Sequence, residues 1–425
     1  MPILEPATIK RASAFPVLPP LSLYVHIPWC VRKCPYCDFN SHELKAAPAG
    51  SGASAPVNPG AAAVLDAAVQ SGAVGPLDAA TEQRYIQAMI ADLDQALPQV
   101  WGRTVYTVFF GGGTPSLLSA RGLDDLLCAI RARLPLAADG EITLEANPGT
   151  FEAHKFAQFR ALGINRLSIG IQSFNPAHLK ALGRIHDAAQ AYAAIEIAQA
   201  IFDNFNLDLM YALPGQTQAQ AMADLDVAIS FSPAHISAYH LTIEPNTLFH
   251  RHPPQLPDED ASAEMQQGIE TRLARAGYEH YETSAFALPG RQAGHNLNYW
   301  RFGDYLGIGA GAHGKLSFPD RVLRQVRYKQ PREYMDRALA GSPVQQQHVV
   351  AVEDLPFEFM MNALRLIDGV ELPLFAERTG LSLQALRKPL QAAESRGLLE
   401  RDHLRLRPTL KGQRFLNDLL QIFLR

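Results

Sequence analysis

Tyr24-Val25-His26-Ile27-Pro28-Trp29-Cys30-Val31-Arg32-Lys33-Cys34-Pro35-Tyr36-Cys37-Asp38-Phe39 gathers three of the chain's four cysteines within eight residues, spaced C-x-x-x-C-x-x-C. The stretch continues an alternating apolar run, Leu21, Leu23 and Val25, whose period of two predicts a strand. A cubane iron-sulfur cluster normally takes four thiolates, so three cysteines on one loop leave one iron without a protein ligand and open to chemistry. Taken alone, the same thiols with His26 or His42 also suit a structural zinc ion, and isolated cysteines can be plain core.

Outward from this loop the chain alternates strand and helix. Residues 43–81, rich in Ala, Gly, Pro and Ser from Ala46 to Ala80, read as a surface insertion with a short helix over 61–69. Tyr85, Ile86, Met89, Ile90, Leu93 and Leu97 recur at helical spacing, and a strand over 105–110 runs into Gly111-Gly112-Gly113-Thr114. Leu123, Leu126, Leu127 and Ile130 predict a helix, with Cys128 placed on its apolar stripe as core. Strands over 142–146, 167–172, 206–211 and 235–241 alternate with helices over 153–162, 188–200 and 218–229. Six βα units in one run predict an α/β fold whose parallel sheet curls into an open, partial (β/α)6 barrel. Ligands collect at the C-terminal strand ends of such sheets, where most of the polar motifs fall.

Composition narrows the class. At 425 residues the chain has room for two or three domains, and 47% hydrophobic residues fill a sizeable core. A net charge of −4 argues against a dedicated nucleic-acid binder. Four cysteines, three of them clustered, do not make a secreted disulfide framework, and no apolar run reaches the length of a membrane span. A reducing, cytoplasmic location is expected.

With its aromatic before the last cysteine, the loop resembles the signature of the radical S-adenosylmethionine superfamily. The wider string from His26 to Phe39 is similar to the oxygen-independent coproporphyrinogen III oxidase branch, and within it to the haem-chaperone group. The resemblance implies a [4Fe-4S] cluster on Cys30, Cys34 and Cys37, with S-adenosylmethionine on the open iron. In the superfamily an electron from the cluster cleaves that sulfonium to a deoxyadenosyl radical. Residue by residue it also implies an S-adenosylmethionine shell of Tyr24, Tyr36, Gly112, Gly113, Thr114, Glu145, Gln172, Arg184 and Asp208. These stand in the glycine run, in Glu145-Ala146-Asn147-Pro148, in Gly170-Ile171-Gln172, in Leu182-Gly183-Arg184-Ile185-His186 and in Asp208-Leu209 through Leu213-Pro214-Gly215. Each also has a plainer reading: a tight turn for the glycines, a solvated charge for Glu145, a surface ion pair for Arg184. Asp208, inside an apolar run, should be solvated at the barrel mouth or bonded to a ligand.

Two features separate the chain from the oxidases of that branch. Phe39 stands where they carry a further cysteine, and residues 1–20 do not match their N-terminal segment. His295-Asn296-Leu297-Asn298-Tyr299-Trp300 instead matches the H-N-x-x-Y-W element that the resemblance associates with haem. His295 is thus the haem-ligand candidate, with Tyr299 and Trp300 able to pack on a porphyrin face. The competing reading is a hydrogen-bonded structural histidine beside core aromatics. Gly307 to Gly314 lacks the dinucleotide fingerprint and reads as a close-approach loop, with His313 a reserve ligand.

From Leu355 onward, helices and a two-strand piece over 398–407 resemble a winged-helix module. Eleven Lys or Arg face eight Asp or Glu there, too small an excess for DNA binding, so a docking role is expected. The expected layout is a lead-in (1–20), the barrel (21–245), a connecting and haem-motif region (246–350) and a C-terminal domain (351–425). The implied function is a haem chaperone that hands haem to acceptor proteins, membrane-associated ones among them, with an electron donor and, as one option, a homodimer. The alternative is an oxygen-independent coproporphyrinogen III oxidase, which Phe39 and the His295 element oppose; enzymatic activity is left open. A third class, a zinc-dependent regulator, would use the C-terminal module.

Overall fold

The computed structural model describes residues 17–44, 77–149 and 155–424. The lead-in through residue 16, residues 45–76 of the insertion with its expected helix, and the start of the helix expected at 153 lie outside the described residues; the last residues of the expected insertion, from Ala79, instead open the helix Ala79–Val100.

Six strands alternate with helices as the periodicity predicts: β1 (Leu21–Ile27), β2 (Val105–Gly112), β3 (Leu136–Ala146), β4 (Arg166–Gln172), β5 (Phe205–Tyr211) and β6 (His235–His240). They pair in parallel in that order. Their period of two sorts the residues by face. Leu23, Val25, Val108, Phe110, Leu144, Leu167, Ile169, Leu207 and Ile236 pack into the main core with the covering helices. Tyr24, Phe109, Glu145, Ser168, Asn206, Asp208, His235 and Ser237 occupy the other face and line an interior cavity. The inner face thus mixes polar side chains with the aromatic rings of Tyr24 and Phe109, and the barrel keeps a space lined by both.

The sheet is wider than the sequence suggests. β9 (Asp304–Ile308) pairs in parallel with β1, making a seventh parallel strand. Beyond it lie the antiparallel β10 (His313–Phe318), β11 (Arg321–Arg327) and β12 (Val344–Val349). The opposite edge is closed by β7 (Glu279–Glu282) and β8 (Ala285–Ala287), so the described sheet has twelve strands. The glycine-rich run therefore straddles β9 and the turn after it. Gly309 and Gly311 adopt φ of +102° and +79°, and a Cβ on Gly311 would lie 2.3 Å from the Asn40 amide. The close-approach reading holds, with the cysteine loop as the neighbour.

Cys128 departs from expectation: it is exposed and its thiol donates to Asp124 Oδ1 at 3.5 Å. Leu123, Leu126, Leu127 and Ile130 bury one face of the helix Ala120–Arg133. Cys128 is turned about 100° past Leu127, off that stripe.

The C-terminal segment forms helices Leu355–Ala363, Leu372–Thr379 and Arg387–Ser395, with a three-stranded sheet of β13 (Val370–Glu371), β14 (Leu399–Arg401) and β15 (Arg405–Pro408). This is a winged-helix order with one more strand than expected; β13 is two residues long, too short for periodicity to reveal. Phe359, Phe375, Leu386 and Leu390 build a separate core there. Phe302 and Val322 join it from the barrel side, seating the module on the edge of the large sheet.

Candidate functional site

The cysteine loop is fastened from several sides. Trp29-Cys30 pairs in parallel with His42-Glu43, the Cys37 N–H donates to the Cys34 carbonyl at 3.1 Å, and Lys33 Nζ donates to the Phe39 and Ser41 carbonyls. Asn40 Nδ2 donates to the carbonyls of Ala310 and Lys329, both at 2.9 Å. His26 Nε2–H donates to the Asn40 carbonyl at 3.0 Å, so its Nδ1 must accept, and Tyr24 O–H donates to it at 2.8 Å.

The glycine run seats this loop. The Gly113 N–H donates to the Ile27 carbonyl and that of Thr114 to the Trp29 carbonyl, each at 2.7 Å. A Cβ on Gly113 would lie 2.5 Å from the Trp29 carbonyl oxygen; one on Gly112, at φ +112°, would lie 2.5 Å from the His26 ring. The glycines thus admit the loop's own backbone and imidazole as well as facing the cavity. Gly113→Ala is expected to cost about 1–3 kcal/mol, since the atom in the way is backbone. The check is a lower urea midpoint with unchanged m value.

The three thiols are free and half-buried, and each faces a polar partner. Thr114 Oγ1 donates to Cys30 Sγ at 3.6 Å and Arg184 Nη1 to Cys34 Sγ at 3.6 Å. Cys37 Sγ and Ser41 Oγ stand 3.7 Å apart. Burial pushes the Cys30 thiol up to about 11 and raises Cys37 as well. Among the described residues no three His, Cys, Asp or Glu side chains converge as a single-ion site. A cubane asks for less convergence, because each iron takes its own thiolate, and soft thiolates with hydrogen-bonded sulfurs suit it.

The three cysteines, the nine residues of the implied S-adenosylmethionine shell (Tyr24, Tyr36, Gly112, Gly113, Thr114, Glu145, Gln172, Arg184 and Asp208) and His295 all line one cavity of about 720 Å³. Burial, then the neighbouring Asp208, pushes the Glu145 carboxyl up to about 8, although the Gly112 N–H donates to it at 3.3 Å. A nearby cation favours the ionised form of a carboxyl, so this position suits an amino or sulfonium group. Gln172 holds φ of +66°, a strained conformation for a non-glycine residue and one typical of ligand clamps.

Asp208 corrects one expectation. It is not solvated at the mouth: Asn206 Nδ2 donates to it at 2.8 Å and Ser168 Oγ at 3.0 Å inside the barrel, while burial raises its carboxyl above the ordinary range.

His295 lies in the helix Gly294–Trp300 and is 6% exposed. Its ring packs on Phe109 with centroids 4.0 Å apart. Burial lowers its basicity against the pull of Glu141, leaving a neutral ring. Burial opposes the Glu141 charge too, but hydrogen bonding to His295 and the nearby Arg166 hold that carboxyl far below the ordinary range. A carboxylate only accepts, so Nδ1–H donates to Glu141 Oε1 at 3.1 Å and Nε2 carries the free lone pair. His313, the reserve candidate, is exposed and lies outside the cavity lining. The sequence reading missed Ser41, Glu141, Asn147 and Arg166; only Asn147, two residues past Glu145 in a quoted motif, carried a local signal.

The Radical SAM superfamily model matches residues 24–228 and the HemN C-terminal domain model residues 350–415. The protein named heme chaperone HemW from Escherichia coli (strain K12) is 47% identical over 409 residues, covering 96% of this chain and 99% of its own length. This chain belongs to the HemW family. The HemW proteins of Haemophilus influenzae and Bacillus subtilis are 44% and 31% identical, covering 96% and 95% of this chain and 99% of each relative. Among solved structures, the E. coli coproporphyrinogen III oxidase HemN aligns with a TM-score of 0.75 over 96% of this chain and 90% of its own, at 21% identity, a likeness of fold. The Radical SAM superfamily match of this chain implies a [4Fe-4S] cluster and S-adenosylmethionine. Among the described residues no helix is long and apolar enough to cross a membrane.

Proposed function

We propose that this chain binds haem and passes it to acceptor proteins, carrying a [4Fe-4S] cluster on Cys30, Cys34 and Cys37 with S-adenosylmethionine beside it. The observation that carries the reading is the His295 imidazole in the same cavity as the three thiols. Its Nδ1 is held by the Glu141 carboxylate and its Nε2 lone pair is left to a metal. A carboxylate behind a histidine fixes the tautomer and strengthens the donor, the usual support of a metal-ligating imidazole. The family name borne by the relatives agrees with haem as cargo.

The cofactor's chemistry, when it is bound, is one-electron transfer from the cluster. The chain's own residues do the rest. Arg184 and Thr114 donate to the cluster sulfurs, Glu145 and Asp208 offer carboxylates to a cationic ligand, and Tyr299 and Trp300 line the wall beside His295. Phe39, also at the cavity, has no thiol to offer and is 61% exposed, which weighs against the oxidase reading.

Haem titration of anaerobically reconstituted protein tests this. His295→Ala should weaken haem binding at least about tenfold, roughly 1.4 kcal/mol, and alter the haem absorption spectrum, with iron-sulfur content unchanged. An unaltered titration would remove His295 as the ligand.

A further inference from the structure

We propose that Asn147 is a positioning residue that sets the reduction potential of the cluster by holding the hydrogen-bond donors of two of its three thiolates. The inference rests on the cluster proposed above. Asn147 stands just past the end of β3. Its Oδ1 accepts from Arg184 Nη2 at 2.5 Å, and its Nδ2 donates to Thr114 Oγ1 at 2.9 Å. The orientation of the amide is fixed by chemistry: a guanidinium only donates, so the atom facing Arg184 is the oxygen and the atom facing Thr114 is the nitrogen.

The consequence passes to both sulfurs. Having accepted from Asn147, the Thr114 hydroxyl keeps its own hydrogen for Cys30 Sγ, 3.6 Å away. Arg184, held by Asn147 and by the Gly170 carbonyl at 2.8 Å, aims Nη1 at Cys34 Sγ, also 3.6 Å away. One side chain therefore orients donors on residues 114 and 184, which reach the cluster loop from different βα units. Hydrogen bonds to cluster sulfurs favour the more negative, reduced state and raise the potential.

Two replacements separate the effects. Asn147→Leu has similar bulk and no polar atoms: it removes one anchor of Arg184, leaving the Gly170 carbonyl and Tyr36, and frees the Thr114 hydroxyl to rotate. Asn147→Asp still accepts from Arg184 but cannot donate, so the Thr114 hydrogen turns from Cys30 to the carboxylate, and a negative charge is added. The potential should fall in the order natural chain, Leu, Asp.

The test is a redox titration of the reconstituted full-length protein, followed by electron paramagnetic resonance, without S-adenosylmethionine. At fixed ambient potential the reduced-to-oxidised ratio of Asn147→Asp should drop about tenfold, equal to about 59 mV for one electron. Thr114→Val removes the Cys30 arm alone and should shift the ratio the same way by less. Equal potentials at equal iron content would overturn the proposal. So would loss of iron from both Asn147 variants together with an unshifted Thr114→Val, which would mark a purely structural role. A natural chain with no reducible cluster would instead overturn the reading beneath it.

Discussion

Serine at any one of Cys30, Cys34 or Cys37 is expected to strip the chain of its iron-sulfur cluster, with iron retained after anaerobic reconstitution and gel filtration falling at least about tenfold. The size of the effect follows from ligand number and softness. In the proposed assignment three protein thiolates hold the whole cluster, so each replacement would remove a third of the protein's hold and leave a second iron open. A serine hydroxyl is a harder donor that does not ionise near neutral pH, and it does not replace a thiolate on iron. No other thiol is at hand: the fourth cysteine, Cys128, is exposed and forms no part of the cavity lining. Cys128→Ser is therefore the matched control and should keep full iron content. A serine variant at position 30, 34 or 37 that kept its iron would sink the cluster assignment, and with it the meaning of the hydrogen bonds from Thr114 and Arg184.

The cavity was legible in the sequence because two independent periodicities agree on it. Alternation at period two in β1 to β6 separates Leu23 and Val25 from Tyr24, and Leu207 and Leu209 from Asp208. A chain that keeps placing polar residues at every second strand position is describing the inside of a barrel. The cysteine loop and the polar motifs then fall at successive strand ends, where the topology brings them together. What stayed hidden is where a residue's partner lies far along the chain. β9 and β10 carry Asp304, Lys315 and Ser317 at buried positions, and in sequence such residues look like loop. Only pairing with one another makes their burial affordable. Asp208 misled in the opposite sense: its partners Asn206 and Ser168 are unremarkable polar residues, so nothing local announced that they reach it inside the barrel. Ser41, Glu141 and Arg166 belong to the same class, since a residue supporting a site is defined by what it touches.

The same hidden pairing yields the largest stability effect. Asp304 is completely buried and accepts from Lys315 Nζ at 2.9 Å, from the Ser317 N–H at 2.9 Å and from Ser317 Oγ at 2.8 Å. Arg103 Nη2 stands 2.9 Å from Oδ2, the oxygen that also accepts from the Ser317 N–H. Lys315, itself 1% exposed, also donates to the Phe302 carbonyl at 2.9 Å and lies 4.0 Å from the centre of the Phe302 ring. Phe302 holds φ of +55° in the turn after the His295 helix and packs in the C-terminal core. The cluster of charges thus joins barrel, helix and C-terminal module. Asp304→Ala leaves two cations facing each other out of water and should cost about 3–5 kcal/mol. Asp304→Leu with Lys315→Met removes charge on both sides and should recover part of that loss, because matched removal of a buried pair is often nearly neutral. Acid should act as the mutation does. Burial opposes the Asp304 charge, but Lys315 and Arg103 outweigh it and hold the carboxyl below its ordinary range. The unfolded chain then takes up the proton first, so this stability is complete above the ordinary carboxylate value, about pH 4, and drains away as pH falls from there toward the folded value. Urea midpoints at neutral pH and stepwise below pH 4 check both statements. The natural chain should lose stability over that window more steeply than the double variant, which no longer carries the group. A single variant within about 1 kcal/mol of the natural chain, or identical acid profiles for the two, would show that Asp304 is not what binds the three parts together.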